Sequence, residues 1–295
     1  VDVHFVCAFF FVRIRRPPRS TRFPYPTLFR SEVYKAEHIL TRGHYFAIKV
    51  LTPTAQKDST LVERFLREAQ ACMLLDHPRI IKVFEIGCYK NRPFFVMEYV
   101  QGKPLDKFLR PKGPLDPIIA LKIAGHIAHA LSYAHSYNII HRDLKPSNIL
   151  IEDKGHHMKL IDLGLAKMLD QSSLTVTHHL IGTPRYMAPE QMRNPNAIDF
   201  RVDIYSLGAV IYRMITGMVP YAEIISENRS TLLRYMYSKS PVPIEEIVDV
   251  PGPIISLVQK AMAKRKETRF SSAQEMFEEI HRTIQWLNQN ESERL

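Results

Sequence analysis

Two short strings hold the residues best suited to chemistry: HRDLKPSN, from His141 to Asn148, and LIDLG, from Leu160 to Gly164. Asp143, Lys145 and Asn148 fall within six positions, so a single loop offers an acceptor-only carboxylate, a cation and an amide oxygen. Asp162 adds a second hard oxygen, the ligand type that magnesium prefers. Moving a phosphoryl group needs these parts: a carboxylate beside the incoming hydroxyl, oxygens for a divalent ion, and positive charge where negative charge spreads. A lone aspartate before a leucine is more often a helix cap or a surface charge. The weight lies in several such residues standing in order, with Lys49 in YFAIKVL and Glu68 in RFLREAQ upstream of them.

The segments that must position these residues alternate in a regular way. EVYKAEHI and YFAIKVL predict two strands joined at TRGH, where Gly43 supplies a permissive backbone. STLVERFLREAQACMLL predicts an amphipathic helix with Leu61, Phe65, Glu68, Ala69 and Cys72 at helical spacing. IIKVFEIGCY and PFFVMEYV predict two further strands, and QGKPL a linker. Beyond it the pattern turns helical. Asp116 before Pro117 predicts a helix start, with Ile119, Ile123, Ile127, Ala130, Leu131 and Ala134 on one apolar stripe. DIYSLGAVIYRMITG is apolar on nearly every side, which predicts a buried helix ended by Gly217. SSAQEMFEEIHRTIQWL predicts a last amphipathic helix running into a polar tail. The fold class expected is α+β, with a small sheet-rich lobe, a hinge and a larger, mainly helical lobe.

HRDLKPSN, DLG and GTPRYMAPE together resemble the eukaryotic-type protein kinases, and the resemblance runs from Glu32 to about Gln285. It implies a bilobal kinase fold and ATP with Mg2+ or Mn2+ as cofactors. By it, Asp143 is the catalytic base, Lys145 the cation on the transferring phosphate, and Asn148 and Asp162 the metal ligands. Lys49 would hold the α- and β-phosphates with Glu68 as its helix partner. Met97 would be the gatekeeper, with the backbone of Glu98 and Val100 bonding adenine. Thr183 would touch the substrate loop, Glu190 would pair with Arg269, and Asp203 would brace the catalytic loop. His141 is read as a packing residue, and Leu163 and Cys72 as packing between the lobes. The pairs His156–His157 and His178–His179 are read as loop residues rather than metal ligands.

Lys145 and the GTPRYMAPE string place the resemblance in the serine/threonine class, and RFLREAQACMLLDHPRII gives it the style of the bacterial Hanks-type kinases. Arg142 before Asp143 suggests control by activation-loop phosphorylation, since a basic pocket there needs a phosphate to neutralise it. Thr175 and Thr177 are the candidate sites, with Ser172 and Ser173 behind them. Protein substrates bearing serine or threonine, and self-phosphorylation in trans, follow as expected partners.

The formal charge of +10 raises the question of nucleic acid. Residues 1–31 carry six arginines against one aspartate, while the rest carries 34 basic and 29 acidic residues spread along the chain. The excess is mild, and no nucleic-acid binding is expected. Cys7, Cys72 and Cys88 fit neither a metal site nor a disulfide framework, which points to a reducing, cytoplasmic setting. The apolar run Val3 to Val12 is shorter than the ~20 residues a bilayer span needs.

One departure from the family stands out. Val33 matches the valine that follows a G-x-G-x-x-G turn, yet the first glycine in the chain is Gly43. Phe29 and Arg30 are too bulky for a loop whose backbone N–H groups must approach phosphates, and the prolines remove donors. Residues 14–31 instead resemble one translated frame of a short-read sequencing adapter, differing only at Arg22 and Pro26. The expected organisation is a non-native or unordered segment over 1–31, then a truncated kinase N-lobe and hinge over 32–103. A C-lobe over 104–285 and a polar tail over 286–295 complete it. The expected activity is protein serine/threonine phosphorylation, weakened in this chain by the missing loop. The alternative is a pseudokinase scaffold, against which the intact Lys49, Asp143, Asn148 and Asp162 argue.

Overall fold

The computed structural model describes residues 3–6, 11–14, 31–152, 157–163, 184–193, 198–224 and 229–292. The chain divides into two compact units: residues 1–102 with 152–177, and residues 103–151 with 178–295.

The first unit is built on an antiparallel sheet in the order β1 (Val3–Val6), β2 (Phe11–Ile14), β3 (Ser31–His38), β4 (Tyr45–Leu51), β6 (Arg92–Glu98), β5 (Val83–Tyr89). The turn between β3 and β4 contains Gly43 at φ +85°, the left-handed conformation that glycine adopts without cost. Lys90 and Asn91, both at positive φ, make the two-residue turn between β5 and β6, whose twist suits an antiparallel hairpin. Period-two alternation sends Ala36, Ile48, Val50, Phe94 and Val96 to one face, where they form a core. Helix α1 (Ser59–Leu74) starts at Asp58, whose side chain accepts from the backbone N–H of Thr60 and Leu61. Phe65, Glu68, Ala69 and Cys72 of the predicted face are buried, whereas Leu61 in the first turn is only partly so. Phe65 meets Phe95 of β6 at 5.0 Å between ring centroids.

Two strands precede β3 where the sequence led us to expect a non-native or unordered segment. β1 and β2 form a hairpin, and β2 docks on β3 through Val12↔His38 and Arg13↔Glu37. A neighbouring strand therefore flanks β3, while residues 23–30, which with Ser31 stand in the glycine loop's place, lie outside the described residues.

Short strands β7 (Gly102–Pro104) and β8 (Ile149–Glu152) lie where the chain passes from one unit to the other. Strand β9 (Met158–Leu160) belongs to the sheet unit. It runs beside residues 79–81, with Leu160 N donating to Arg79 O and Ile81 N to Leu160 O. Residues 157–163, placed by the sequence in the helical part, thus group with the sheet.

The second unit holds α2 (Leu105–Lys112), α3 (Pro117–Ser136), α4 (Pro189–Arg193), α5 (Arg201–Thr216), α6 (Arg229–Ser238), α7 (Gly252–Ala261) and α8 (Ala273–Ser292). Asp116 caps α3 by accepting from Ile119 N, with Pro117 in the first turn. Ile123, Ile127, Ala130, Leu131 and Ala134 are buried as expected, but Ile119 is not: in the first turn it is half exposed. Fourteen of the sixteen residues of α5 are buried, so polar groups on it must find internal partners. Gly208 lets α5 and α7 approach closely, since a Cβ there would stand 2.8 Å from Ala261 Cβ. Gly217 at φ +71° ends α5. Among the described residues no helix is long and apolar enough to cross a membrane.

Candidate active site

In the sheet unit, Lys49 is central. Its place on β4 buries it to 5% exposure, and its Nζ donates to Glu68 Oε1 at 2.6 Å and to Asp162 Oδ1 at 2.7 Å. Burial alone would discharge the ammonium, but the Asp162 and Glu68 carboxylates outweigh it and hold the lysine charged, above its ordinary range. Asp162 sits at φ +55°, a left-handed backbone that aspartate tolerates better than most side chains. Beside this triad Cys72 is buried, and burial pushes its thiol far up, keeping it protonated. Met97 pairs with Ala47 across β6 and β4. Glu98 N donates to Lys82 O, and Val100 is buried two residues past the strand. The Glu98 carboxylate also accepts from Lys159 Nζ at 2.6 Å, a contact that sequence reasoning missed.

In the helical unit, the loop His141–Asn148 folds on itself. Asp143 Oδ2 accepts from Lys145 Nζ at 2.8 Å and from Asn148 Nδ2 at 3.2 Å, and Asn148 Nδ2 also donates to Asp143 O. A one-turn helix at Pro146–Asn148, with proline at its start, sets this reach. The loop is anchored from below by Asp203, which has no exposure. Its Oδ2 accepts from His141 N and His135 Nε2, and its Oδ1 from Arg142 N, each at 2.8 Å. Burial pushes the Asp203 carboxyl up, yet His135, His141 and the Arg142 amide prevail and hold it below its ordinary value. The His135 contact was also missed, because only the fold brings the end of α3 to α5.

Arg142 lies at φ +62°, with its carbonyl accepting from Gln191 Nε2. Burial lowers its guanidinium below the ordinary value, and its Nε, also buried, finds no hydrogen-bond partner among the described residues. A small cavity beside Asp143 is lined by Arg142, Leu144, Lys145, Tyr186, Met187 and Ser206. Glu190 and Arg269 meet in a bidentate pair at 2.6 and 2.8 Å, and Arg269 spends its other donors on the Ala263, Lys264 and Arg201 carbonyls. Thr175, Thr177 and Thr183 lie outside the described residues.

The family model described as "Protein kinase domain" matches residues 30–281. Serine/threonine-protein kinase PrkC of Bacillus subtilis is 35% identical over 250 residues, covering 85% of this chain and 38% of that protein. Serine/threonine-protein kinase PknB of Mycolicibacterium smegmatis is 37% identical, with 78% and 37% covered. The chain spans about two-fifths of the length of such curated relatives. Among solved structures, the PknI kinase domain of Mycobacterium tuberculosis is similar with a TM-score of 0.65 at 25% identity, covering 86% of this chain and 90% of that one. Rad53 1-466 in complex with AMP-PNP is similar with a TM-score of 0.67 at 27% identity, with 84% and 60% covered. The chain therefore belongs to the protein kinase family.

Proposed function

We propose that this domain transfers the γ-phosphate of ATP to serine or threonine hydroxyls of proteins, with Asp143 as the base. The observation that carries the reading is the Asp143–Lys145–Asn148 cluster on a loop held by a fully buried Asp203. Asp143 is the acceptor that orients the substrate hydroxyl and takes its proton. Lys145, already 2.8 Å from that carboxylate, supplies positive charge to the transferring phosphate and suits a serine/threonine class.

Magnesium, or manganese, fits the donor set. Asn148 commits its Nδ2 to Asp143, which leaves its amide oxygen as the atom for an ion, and Asp162 contributes a carboxylate. When bound, such an ion neutralises charge on the phosphates. Lys49, paired to Glu68, is the group that would hold the α- and β-phosphates, and the backbone of Glu98 and Val100 past Met97 would hold adenine.

Arg142, whose buried Nε finds no partner among the described residues, supports regulation by phosphate on Thr175 or Thr177, placed there by a second copy acting in trans. The absence of glycine before Gly43 removes backbone donors to the phosphates, so this chain should bind nucleotide weakly and turn over slowly. The likeness of residues 14–31 to a translated sequencing adapter supports a non-native origin for that segment, and resequencing the locus tests it.

The deciding experiment is a kinase assay on the chain with a glycine-rich first strand restored, beside Asp143→Asn. We expect a loss of at least about a hundred-fold, the scale of general-base catalysis. Mass spectrometry of the same mixtures reports phosphate on Thr175 and Thr177. Activity that persists undiminished in the variant removes Asp143 from its role. No turnover in the restored protein, with ATP still bound, favours the pseudokinase scaffold.

A further inference from the structure

The geometry points to Lys159 as a residue that sets base selectivity at the nucleotide site, acting through Glu98; this rests on the reading that the backbone of Glu98 and Val100 receives adenine. Glu98 ends β6, and its side chain does not simply face water. Its Oε2 accepts from Lys159 Nζ at 2.6 Å, with the lysine side chain 16% and the glutamate 31% exposed. The same oxygen lies 3.5 Å from Lys82 N, while Glu98 N donates to Lys82 O at 2.9 Å. Glu98 is thus held at both its amide and its carboxylate. The ammonium does the stronger part, because a charge-assisted bond at this distance in a half-buried place outweighs a long neutral one.

Lys159 is itself fixed. Its neighbour Leu160 is bonded on both sides of its peptide plane, through its amide to Arg79 O and through its carbonyl to Ile81 N. Leu160 is also buried. A lysine on an anchored strand therefore restrains the residue whose main chain is to read the base. Three positions further on stands Asp162, bonded to Lys49, so one rigid strand segment serves both the base end and the phosphate end of the site.

Reading a base by main-chain hydrogen bonds requires donors and acceptors kept to within a fraction of an ångström, since a mispaired edge leaves buried polar groups unmatched. Adenine and guanine present opposite patterns on that edge. A Glu98 backbone held in place rejects guanine, whereas one released from Lys159 can shift to accommodate either base. Lys159 touches neither base nor phosphate in this account and is a positioning residue.

The test is nucleotide binding by the chain with a glycine-rich first strand restored, read by isothermal titration with MgATP and with MgGTP, with Lys159 and Glu98 intact and in Lys159→Met, Lys159→Arg and Glu98→Gln. We expect the wild type to prefer ATP, and Lys159→Met to narrow the ATP-to-GTP ratio by about five- to ten-fold, the effect of losing one ordering hydrogen bond. Lys159→Arg restores the ratio, and Glu98→Gln repeats the loss from the other side of the pair. Combining Lys159→Met with Glu98→Gln adds nothing further, because both break one contact. A general loosening of the fold would weaken both nucleotides equally and leave the ratio unchanged. A wild type that prefers ATP while Lys159→Met and Glu98→Gln keep that preference undiminished overturns the role of Lys159 alone. A wild type that binds the two nucleotides equally, or neither, overturns the adenine reading and this role with it.

Discussion

Replacing Asp203 by asparagine preserves shape while removing one acceptor, and the structure lets the cost be worked out. The carboxylate receives three donors: His141 N and His135 Nε2 on one oxygen, Arg142 N on the other, with no solvent to substitute. Asparagine offers one oxygen and one NH2 group. If the oxygen faces His141 and His135, the NH2 faces Arg142 N–H, donor against donor. An orphaned buried amide costs about 1–3 kcal/mol, and the two remaining bonds lose their charge assistance. Arg142 also sits in a left-handed backbone, φ +62°, worth about 1–2 kcal/mol of strain that its bond to Asp203 offsets. We expect Asp203→Asn to lose about 3 kcal/mol in urea unfolding followed by circular dichroism, within the range for a broken buried network. The loop carrying Asp143 should relax with it, so turnover in the glycine-restored protein should fall more than nucleotide affinity. A stability loss under about 1 kcal/mol, the scale of a surface substitution, would refute the idea that Asp203 holds this loop.

Lys49→Met should leave the Glu68 and Asp162 carboxylates facing each other without their cation. Breaking a buried pair costs about 3–5 kcal/mol, and the 29% exposure of the Asp162 side chain argues for the low end. Thermal or urea unfolding checks the stability, and MgATP titration should show binding weakened beyond detection; unchanged affinity would remove Lys49 from the phosphate site. Asp199 gives a pH prediction. Burial pushes its carboxyl up, but hydrogen bonds from Arg201 and Lys266 hold it at about 2, below its ordinary 3.8. A depressed carboxylate stabilises the fold above pH ~4 and loses that contribution as pH falls through about 2. Because the group is partly exposed, about 1 kcal/mol is at stake after solvent screening. The stability gap between wild type and Asp199→Asn should therefore close as pH drops below about 4, and a gap that stays constant there would contradict this.

What the sequence determined by itself was local. HRDLKPSN put Asp143, Lys145 and Asn148 within six positions of one short loop, though not which of them would bond to which. Apolar spacing predicted the buried faces of α1 and α3, and the absence of a polar side predicted that α5 would be buried. Asp116 before Pro117 announced a helix start, and Gly217 an end. The pairing of Arg269 with Glu190 was readable only through family resemblance, since nothing in the intervening residues encodes it. Other features belong to the tertiary structure alone. His135 reaches Asp203 across 68 positions and Lys159 reaches Glu98 across 61, and neither lysine nor histidine carries a local signal of its partner. The first-turn Ile119 is half exposed, a departure that its place in the apolar stripe did not announce. Strands at Val3–Val6 and Phe11–Ile14 arose where the flanking proline-rich text suggested none, because an open edge of β3 offers backbone pairing to any extended neighbour. Periodicity reports which side of an element avoids water; which polar group meets which is decided by the path of the whole chain.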